Sequence, residues 1–205
     1  MTKTWSTQVT QNFNEAALKY NESAAIQKSI ASKLAQICFE HPIKNGLWVD
    51  LGSGTGLLAN SLENLHKNQY VLRLDNSKQM INQHSEKSTK LIWDLNDGLP
   101  QWSEKPNLLA SSFVLHWLDN PQVQLREWFN SLNSDGCIAL AVPIEGSFPE
   151  WHEAALKANL TCTALELPSY DSLIRVIPKQ NVVYNKIEII KQTSDKAISL
   201  LKPMI

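Results

Sequence analysis

The chain has 205 residues, of which 43% are hydrophobic and 19% are charged, and its formal net charge is -1. A chain of this size folds as one domain, or two at most, and buries enough surface to need neither disulfides nor a structural metal. The balanced charge excludes a strongly basic nucleic-acid-binding protein, and no apolar run reaches the ~20 residues of a membrane-spanning helix. The polar N-terminus lacks the apolar stretch of a signal peptide, so we expect a cytoplasmic protein without nucleic-acid or membrane partners.

The predicted elements follow one another in a regular alternation. Helical periodicity runs through residues 8–39, and we expect residues 21–23 to divide it into two helices. Short apolar runs then predict five β-strands, at residues 47–51, 70–74, 90–93, 107–111 and 137–142. Helical segments separate these strands, at residues 57–65, 77–84 and 122–132. This alternation is typical of a parallel, doubly wound (Rossmann-like) α/β sheet, to which residues 186–192 would add a sixth strand.

A glycine-rich turn, Asp50-Leu51-Gly52-Ser53-Gly54-Thr55-Gly56, lies between the first strand and its helix. Glycines there let the backbone approach a ligand and adopt positive φ, and the adjoining helix N-terminus favours a nucleotide-like ligand. The dinucleotide fingerprint G-x-G-x-x-G would need a third glycine at Leu57. The spacing found here, an acid followed by G-x-G-x-G, therefore disfavours NAD.

This acidic glycine motif resembles motif I of class I S-adenosylmethionine-dependent methyltransferases. The resemblance implies a sheet in the order 3-2-1-4-5, N-terminal helices, and S-adenosylmethionine as the cofactor. Its loop ligands would be Gly52, Ser53, Gly54 and Gly56, with Asp50 acting directly or through backbone and water. The widely spaced cysteines Cys38, Cys137 and Cys162 form no metal-binding pattern, so we expect no metal.

Polar residues at the ends of the next three strands agree with this resemblance. Asp75, followed by Asn76, ends the second strand, where an acid accepts hydrogen bonds from ribose hydroxyls. The resemblance implies that Asp94 and the backbone N–H of Leu95 bind adenine. It also implies that Ser111, at the end of the fourth strand, lies near the methionyl part of the cofactor.

Several further segments are similar to the malonyl-acyl-carrier-protein O-methyltransferases of biotin synthesis, the BioC family. They are F-N-E-A-A-L-K-Y at residues 13–20, S-S-F-V-L-H-W-L at residues 111–118, and G-S-F-P-E-W at residues 146–151. The implied reaction transfers a methyl group to the free carboxylate of a malonyl thioester on acyl carrier protein or coenzyme A. A carboxyl group with a pKa near ~4 is already ionised at neutral pH, so no general base is needed.

A few residues are candidates for positioning the reacting groups and for binding the substrate. Tyr20 on the N-terminal helices and His116 after the fourth strand are expected to position the reacting groups. Gln27, Trp117 and Arg175 are expected to bind substrate. For the aromatic residues, packing in the core is the alternative role, and for Arg175 it is a surface charge.

The chain departs from the BioC pattern in two places. The arginine that precedes "F-L-P" in the family is missing from residues 164–166, which leaves recognition of the substrate carboxylate open. A seventh strand is not predicted, so we expect an exposed edge at the fifth strand and dimerisation through it as one arrangement. We expect a single methyltransferase domain with a helical lid (1–40), a cofactor core (47–142), a helical insert over the substrate (143–182), and a C-terminal strand and helix (186–205).

Two other functions fit the same sequence. One is a class I methyltransferase that acts on another small molecule, either a different carboxylate or a quinone ring. The other is a non-catalytic short form that acts as a binding partner. The intact glycine motif and Asp75 argue against the second alternative.

Overall fold

A parallel sheet forms the centre of the computed structural model, which describes residues 3–193. Within these residues the sheet has five strands in the order β3-β2-β1-β4-β5, and every neighbouring pair is parallel. The strands are β1 (Trp48–Leu51), β2 (Val71–Asp75), β3 (Lys90–Ile92), β4 (Leu108–Ser112) and β5 (Cys137–Ala141). The predicted strand order is confirmed, and all strands end at one edge of the sheet, as ligand binding in this architecture requires.

Helices flank the sheet on both faces. They are α1 (Lys3–Ala16), α2 (Tyr20–Ser23), α3 (Ala25–Glu40), α4 (Leu57–Leu65), α5 (Lys78–Ile81), α6 (Pro121–Ser131), α7 (Pro149–Lys157) and α8 (Tyr170–Ile174). The predicted helices at 57–65 and 122–132 are confirmed, whereas α5 is shorter than the predicted 77–84. The Ser77 side chain caps α5 by accepting a hydrogen bond from the N–H of Met80. Among the described residues, none of the helices has the length and apolarity needed to cross a membrane.

The N-terminal helices break at other residues than the sequence predicts. Residues 21–23 were expected to separate two helices, but they are helical themselves and belong to α2. The chain instead leaves the helix at residues 17–19 and again at Ala24, whose backbone has φ -86° and ψ 40°. Ala17 and Ala24 are both buried at these turns, and their small side chains let the helices pack closely against the rest of the protein.

Two apolar clusters, one on each face of the sheet, form the core. Since side chains alternate along a strand, Trp48 of β1 packs with α3 and α4, while Val49 packs with Trp128 of α6 on the opposite face. Both clusters are built on β1 and β4, which are buried on both sides. The central strands are therefore rigid supports for the loops at their carboxyl ends.

The predicted sixth strand is wrong. Residues 186–192 are neither strand nor helix in the described structure, and Ile187 and Ile189 are 57% and 85% exposed. A strand is stable only when its backbone pairs with a neighbour, and none of the described backbone hydrogen bonds links this segment to β5. Side-chain contacts hold this part of the chain instead. Glu188 pairs with Lys33 of α3, and Tyr184, just before the segment, packs against His41, which follows α3. The C-terminal helix expected within 186–205 would begin beyond residue 193 and lies outside the described residues.

Candidate active site

The glycine-rich turn forms the centre of the site, between β1 and α4. Gly52, Gly54 and Gly56 all have positive φ, of 70°, 52° and 89°. A Cβ at Gly54 would meet no atom within 4 Å, so the loop is open on that side. A Cβ at Gly52 would lie 2.4 Å from Val114, so only glycine fits where the loop after β4 crosses this turn.

Asp50 lies beneath the turn and does not face the cleft. Its carboxylate is 1% exposed and accepts a hydrogen bond of 3.0 Å from the N–H of Ala59 in α4. Burial raises its pKa to about 7, although this hydrogen bond and the Arg73 guanidinium act in the opposite direction. Asp50 therefore supports the loop from below.

Asp75 ends β2 directly beside the turn. Its Oδ2 accepts a hydrogen bond from the N–H of Gly54 and its Oδ1 accepts one from the N–H of Ser77, both at 2.8 Å. Burial raises the pKa of this carboxyl, while these two hydrogen bonds lower it. The carboxylate is therefore oriented by the backbone before any ligand binds, and its remaining lone pairs are free to accept from hydroxyl groups.

Helix α1 crosses the carboxyl ends of β2 and β3 and covers a cavity of about 550 Å³. Asn76 Nδ2 donates to Thr10 Oγ1 at 3.0 Å, and Ser77 Oγ donates to Asn14 Oδ1 at 2.6 Å. The residues that line the cavity are Thr7, Thr10, Gln11, Asn14, Asn76, Ile92, Trp93, Asp94 and Asp97. Predicted ligands from the strand ends thus share a wall with one polar face of α1.

Asp94 lines this cavity, and Leu95 follows it in the chain. Asp94 Oδ1 accepts a hydrogen bond of 3.0 Å from the N–H of Asn96 and so begins the 3-10 helix Leu95–Asp97. Leu95 is buried, so its backbone rather than its side chain would be available to a ligand. Adenine binding by this pair stays a prediction.

Ser111 is buried inside the sheet. It is 1% exposed, and its Oγ donates a hydrogen bond of 2.9 Å to the carbonyl of Leu51. This hydroxyl ties β4 to β1 and does not project into the cleft. The position of Ser111 near the methionyl part of the cofactor stays a prediction.

Aromatic side chains from the N-terminal helices meet the loop after β4. The ring of Phe13 packs edge-on against Tyr20 and against Trp117, with centroids 6.3 and 5.9 Å apart, and Trp117 packs against His116 at 4.9 Å. Burial, together with the charge of Asp75, raises the pKa of Tyr20 to about 12, and burial lowers the pKa of His116 to about 3. Tyr20 and His116 are therefore both neutral at pH 7. We call Phe13, Tyr20, His116 and Trp117 together the aromatic row.

The remaining two predicted residues lie outside the aromatic row. Gln27 is partly buried in the first turn of α3. Arg175 follows α8, and its side chain is 79% exposed and pairs with Asp171 at 3.3 Å on the same helical face. The structure therefore gives no support to a substrate-binding role for Arg175.

Four residues of the site were not predicted as ligands: Thr10, Phe13, Asn14 and His84. Thr7, Thr10, Gln11 and Asn14 recur at the spacing of one helical face, which is a signal that sequence alone contains. His84 hydrogen-bonds to Gly54, 30 residues away, and no pattern in the sequence indicates it. Within the described residues, no group of three or more His, Cys, Asp or Glu side chains could hold a metal ion.

Comparison with known proteins agrees with this geometry. Residues 49–140, which span all five strands except the first residue of β1 and the last of β5, match the family model of a methyltransferase domain. The malonyl-[acyl-carrier protein] O-methyltransferase of Hamiltonella defensa is 30% identical over 155 residues, which are 75% of this chain and 58% of that protein. Residues 49–140 therefore form a methyltransferase domain, and its sheet has the class I strand order.

Further relatives have the same name and the same partial overlap. The malonyl-[acyl-carrier protein] O-methyltransferase of Alcanivorax borkumensis is 30% identical over 168 residues, which are 78% of this chain and 56% of that protein. The chain thus spans a little over half the length of the curated relatives that it matches.

Solved structures share the fold at lower identity. An S-adenosylmethionine-dependent methyltransferase from Thermotoga maritima superposes with a TM-score of 0.59 at 17% identity and covers 81% of this chain and 77% of its own. The plantazolicin methyltransferase BamL, solved with S-adenosylhomocysteine, has a TM-score of 0.59 at 16% identity and covers 79% of this chain and 65% of its own.

The residues of the cleft fit S-adenosylmethionine, the cofactor that the sequence predicts. The open side of Gly54 admits a ligand next to the backbone, and Asp75 presents an oriented carboxylate. Ser53 Oγ and His116 Nδ1 are buried without a hydrogen-bond partner among the described residues. Buried polar atoms in this state are costly, so partners from a bound polar ligand would stabilise them.

Proposed function

We propose that this protein transfers a methyl group from S-adenosylmethionine to the free carboxylate of a malonyl thioester on acyl carrier protein or coenzyme A. The observation that carries the proposal is the 30% identity, over about three quarters of the chain, to two relatives with that name. The methyl ester would let chain elongation treat the malonyl group as an ordinary acyl end, as the first step of pimeloyl synthesis for biotin.

The chemistry needs alignment rather than a strong base. S-adenosylmethionine supplies an electrophilic methyl group on a positively charged sulfur. The substrate carboxylate oxygen forms a bond to this methyl carbon as the carbon–sulfur bond breaks, which leaves the methyl ester and S-adenosylhomocysteine. The protein's contribution is to hold oxygen, carbon and sulfur in line and to exclude water, which competes for the carboxylate.

We assign the positioning of the carboxylate to the hydroxyl of Tyr20 and the imidazole of His116. The chain has three arginines, and none of them borders the aromatic row: Arg73 is buried and paired with Glu63, while Arg126 and Arg175 are exposed. Tyr20 and His116 are neutral at pH 7 and donate hydrogen bonds without a full positive charge. A neutral donor leaves more charge on the attacking oxygen than an arginine pair would.

The carrier is expected to dock beside the same helices. Leu18, in the turn between α1 and α2, is 84% exposed, and Lys19 and Lys28 near it are exposed as well. Lys33, on the same helix as Lys28, pairs with Glu188. An apolar side chain with two exposed lysines suits an acidic carrier protein whose acyl arm must enter next to Tyr20.

The test is to incubate the protein with S-adenosylmethionine and malonyl-acyl carrier protein and to measure the product by mass spectrometry. We expect a gain of one methyl group that an esterase removes. Acetyl-acyl carrier protein, which lacks the free carboxylate, is the matched control and should gain nothing. If S-adenosylmethionine binds but the malonyl group is not methylated, the malonyl assignment is wrong, and another small-molecule acceptor replaces it.

A further inference from the structure

A buried histidine beside the glycine turn has no role in the site described so far. His84 follows α5 and is 8% exposed, and its Nε2 lies 2.7 Å from the carbonyl oxygen of Gly54. Because a carbonyl only accepts, Nε2 must hold the proton and donate it. Nδ1 is buried and has no hydrogen-bond partner within the described residues.

The peptide groups on both sides of Gly54 are therefore held. The N–H of Gly54 donates to Asp75 Oδ2 at 2.8 Å, and its carbonyl accepts from His84. Gly54 itself has a φ of 52° and open space where a side chain would be. Two hydrogen bonds thus set the direction of the backbone at the most open point of the turn.

The same ring also packs against the end of the turn. A Cβ at Gly56 would lie 3.0 Å from both Cε1 and Nδ1 of His84, so the imidazole rests directly on this residue. Gly56 is the N-cap of α4 and has a φ of 89°. His84 therefore contacts the turn at two successive glycines of the motif, from an element that is remote in sequence.

We propose that His84 is a positioning residue for S-adenosylmethionine, which acts by holding the Gly54 carbonyl and so the glycine turn in its binding conformation. Asp75 is bonded to the same residue, so a turned Gly54 peptide would also release the carboxylate that we expect to bind the ribose. The proposal concerns the cofactor alone and holds for any methyl acceptor.

The surroundings of His84 favour its neutral form. Burial lowers its pKa, and the charges of Arg73 and Lys90 act in the same direction. The hydrogen bond to Gly54 and the charge of Glu63 act against this, to a smaller extent. The contact with Gly54 requires a proton on Nε2, and the neutral tautomer that carries the proton there is the form that burial favours.

The test measures the dissociation constants of S-adenosylmethionine and S-adenosylhomocysteine by calorimetry for the full chain. We expect His84→Ala to weaken both by about tenfold, the loss of one buried hydrogen bond and its packing. His84→Gln, whose amide nitrogen can donate to Gly54, should stay within about threefold of the wild type. His41→Ala is the matched control, because His41 bonds to the carbonyl of Ile37 at 2.8 Å, away from the cleft.

Thermal unfolding without ligand and the ¹⁵N spectrum of His84 separate positioning from general stability. The proposal predicts the Nε2-protonated tautomer and a rescue by His84→Gln at a similar unfolding midpoint. It is overturned if His84→Ala binds like His41→Ala, if Nδ1 carries the proton, or if His84→Gln folds normally and binds no better than His84→Ala. Should His84→Ala not fold, His84→Asn replaces it, because its shorter amide cannot reach Gly54, and the same comparison with His84→Gln decides.

Discussion

The carboxylate of Asp50 accepts a hydrogen bond from the N–H of Ala59, 3.0 Å away in the first turn of α4. This bond joins the last part of β1 to the helix that follows the glycine turn. It satisfies one of the N–H groups that a helix leaves unpaired at its start. The acid of the motif therefore ties the strand to the helix and closes the turn from within.

Replacement of Asp50 by Asn should change how stability depends on pH. The folded pKa of about 7 lies above the ordinary 3.8, so folding favours the protonated form. The stability that this group contributes is present below about pH 4 and is lost as the pH rises through about 7, by at most about 4 kcal/mol. In Asp50→Asn this loss is absent, so the melting temperature of the variant relative to the wild type should rise from pH 5 to 7 and then level off.

The control for Asp50 is Asp135→Asn. Asp135 is exposed, and the hydrogen bond and charge of Lys44 lower its pKa. The Asp135 carboxylate stays ionised above pH 5 in both the folded and the unfolded state. The difference in melting temperature between Asp135→Asn and the wild type should therefore not vary with pH in this range. A constant difference for Asp50→Asn over the same range would contradict the pKa assigned to Asp50.

Gly52→Ala should destabilise the protein by about 2 kcal/mol or more, because positive φ and overpacking each cost about 1–3 kcal/mol. Its added methyl group would lie 2.4 Å from Val114 Cγ2 at a φ of 70°. Gly54→Ala, whose methyl group meets no atom, isolates the backbone strain. Urea unfolding measures the free energy of unfolding of both variants. Equal losses in the two would show that Val114 does not limit the side chain at position 52.

A double variant tests the same contact directly. Val114→Ala removes the two methyl groups that a Cβ at Gly52 would meet. The combined loss in Gly52→Ala/Val114→Ala should therefore be smaller than the sum of the two single losses. Simple additivity would argue that the two residues do not crowd each other.

Asp75→Asn should weaken S-adenosylmethionine binding by about 10- to 100-fold, since hydrogen bonds to a charged group are worth about 1.5–3 kcal/mol. The amide can still accept one of the two backbone hydrogen bonds, so the fold should be kept. Calorimetry and circular dichroism measure the two effects. Asp171→Asn, at an exposed carboxylate on α8, should leave cofactor binding unchanged.

Tyr20→Phe tests the role of the aromatic row in the proposed reaction. The phenyl ring keeps the contact with Phe13, so cofactor affinity should stay within about twofold, while kcat/KM for the malonyl substrate falls about 10- to 100-fold with the lost donor. Cofactor affinity that falls in parallel with kcat/KM would place the hydroxyl in cofactor binding instead.

His116 offers a second test of the same row. His116→Leu should lower kcat/KM more than His116→Gln, because glutamine keeps a neutral donor. Because the pKa values of His116 and Tyr20 are about 3 and 12, neither group titrates between pH 6 and 9. The shape of the pH–rate profile should therefore be the same in the wild type and both His116 variants, and a lost or added step would refute the assignment of His116 as a neutral donor.

The strands and the glycine turn were predictable because their signals are local. A strand buried on both faces is a short apolar run, and a turn with positive φ needs glycine. The strand predicted at residues 186–192 was wrong because its signal was also local. A local apolar pattern shows that a segment could form a strand, but it does not show whether a neighbouring strand is there to pair with it. The breaks near Ala17 and Ala24 were missed because alanine favours helices, and only burial shows that the chain turns there.

By itself the sequence determined the alternation of strands and helices, the strand order through its resemblance, and the acids at the strand ends, since each depends on residues close together in the chain. The tertiary structure decided where those side chains point. Asp50 and Ser111 are buried, Arg175 is exposed, and α1 covers the cavity. His84 meets Gly54 across 30 residues, and Asn76 meets Thr10 across 66. Such contacts depend on how helices pack on the sheet, which spacing along the chain does not encode.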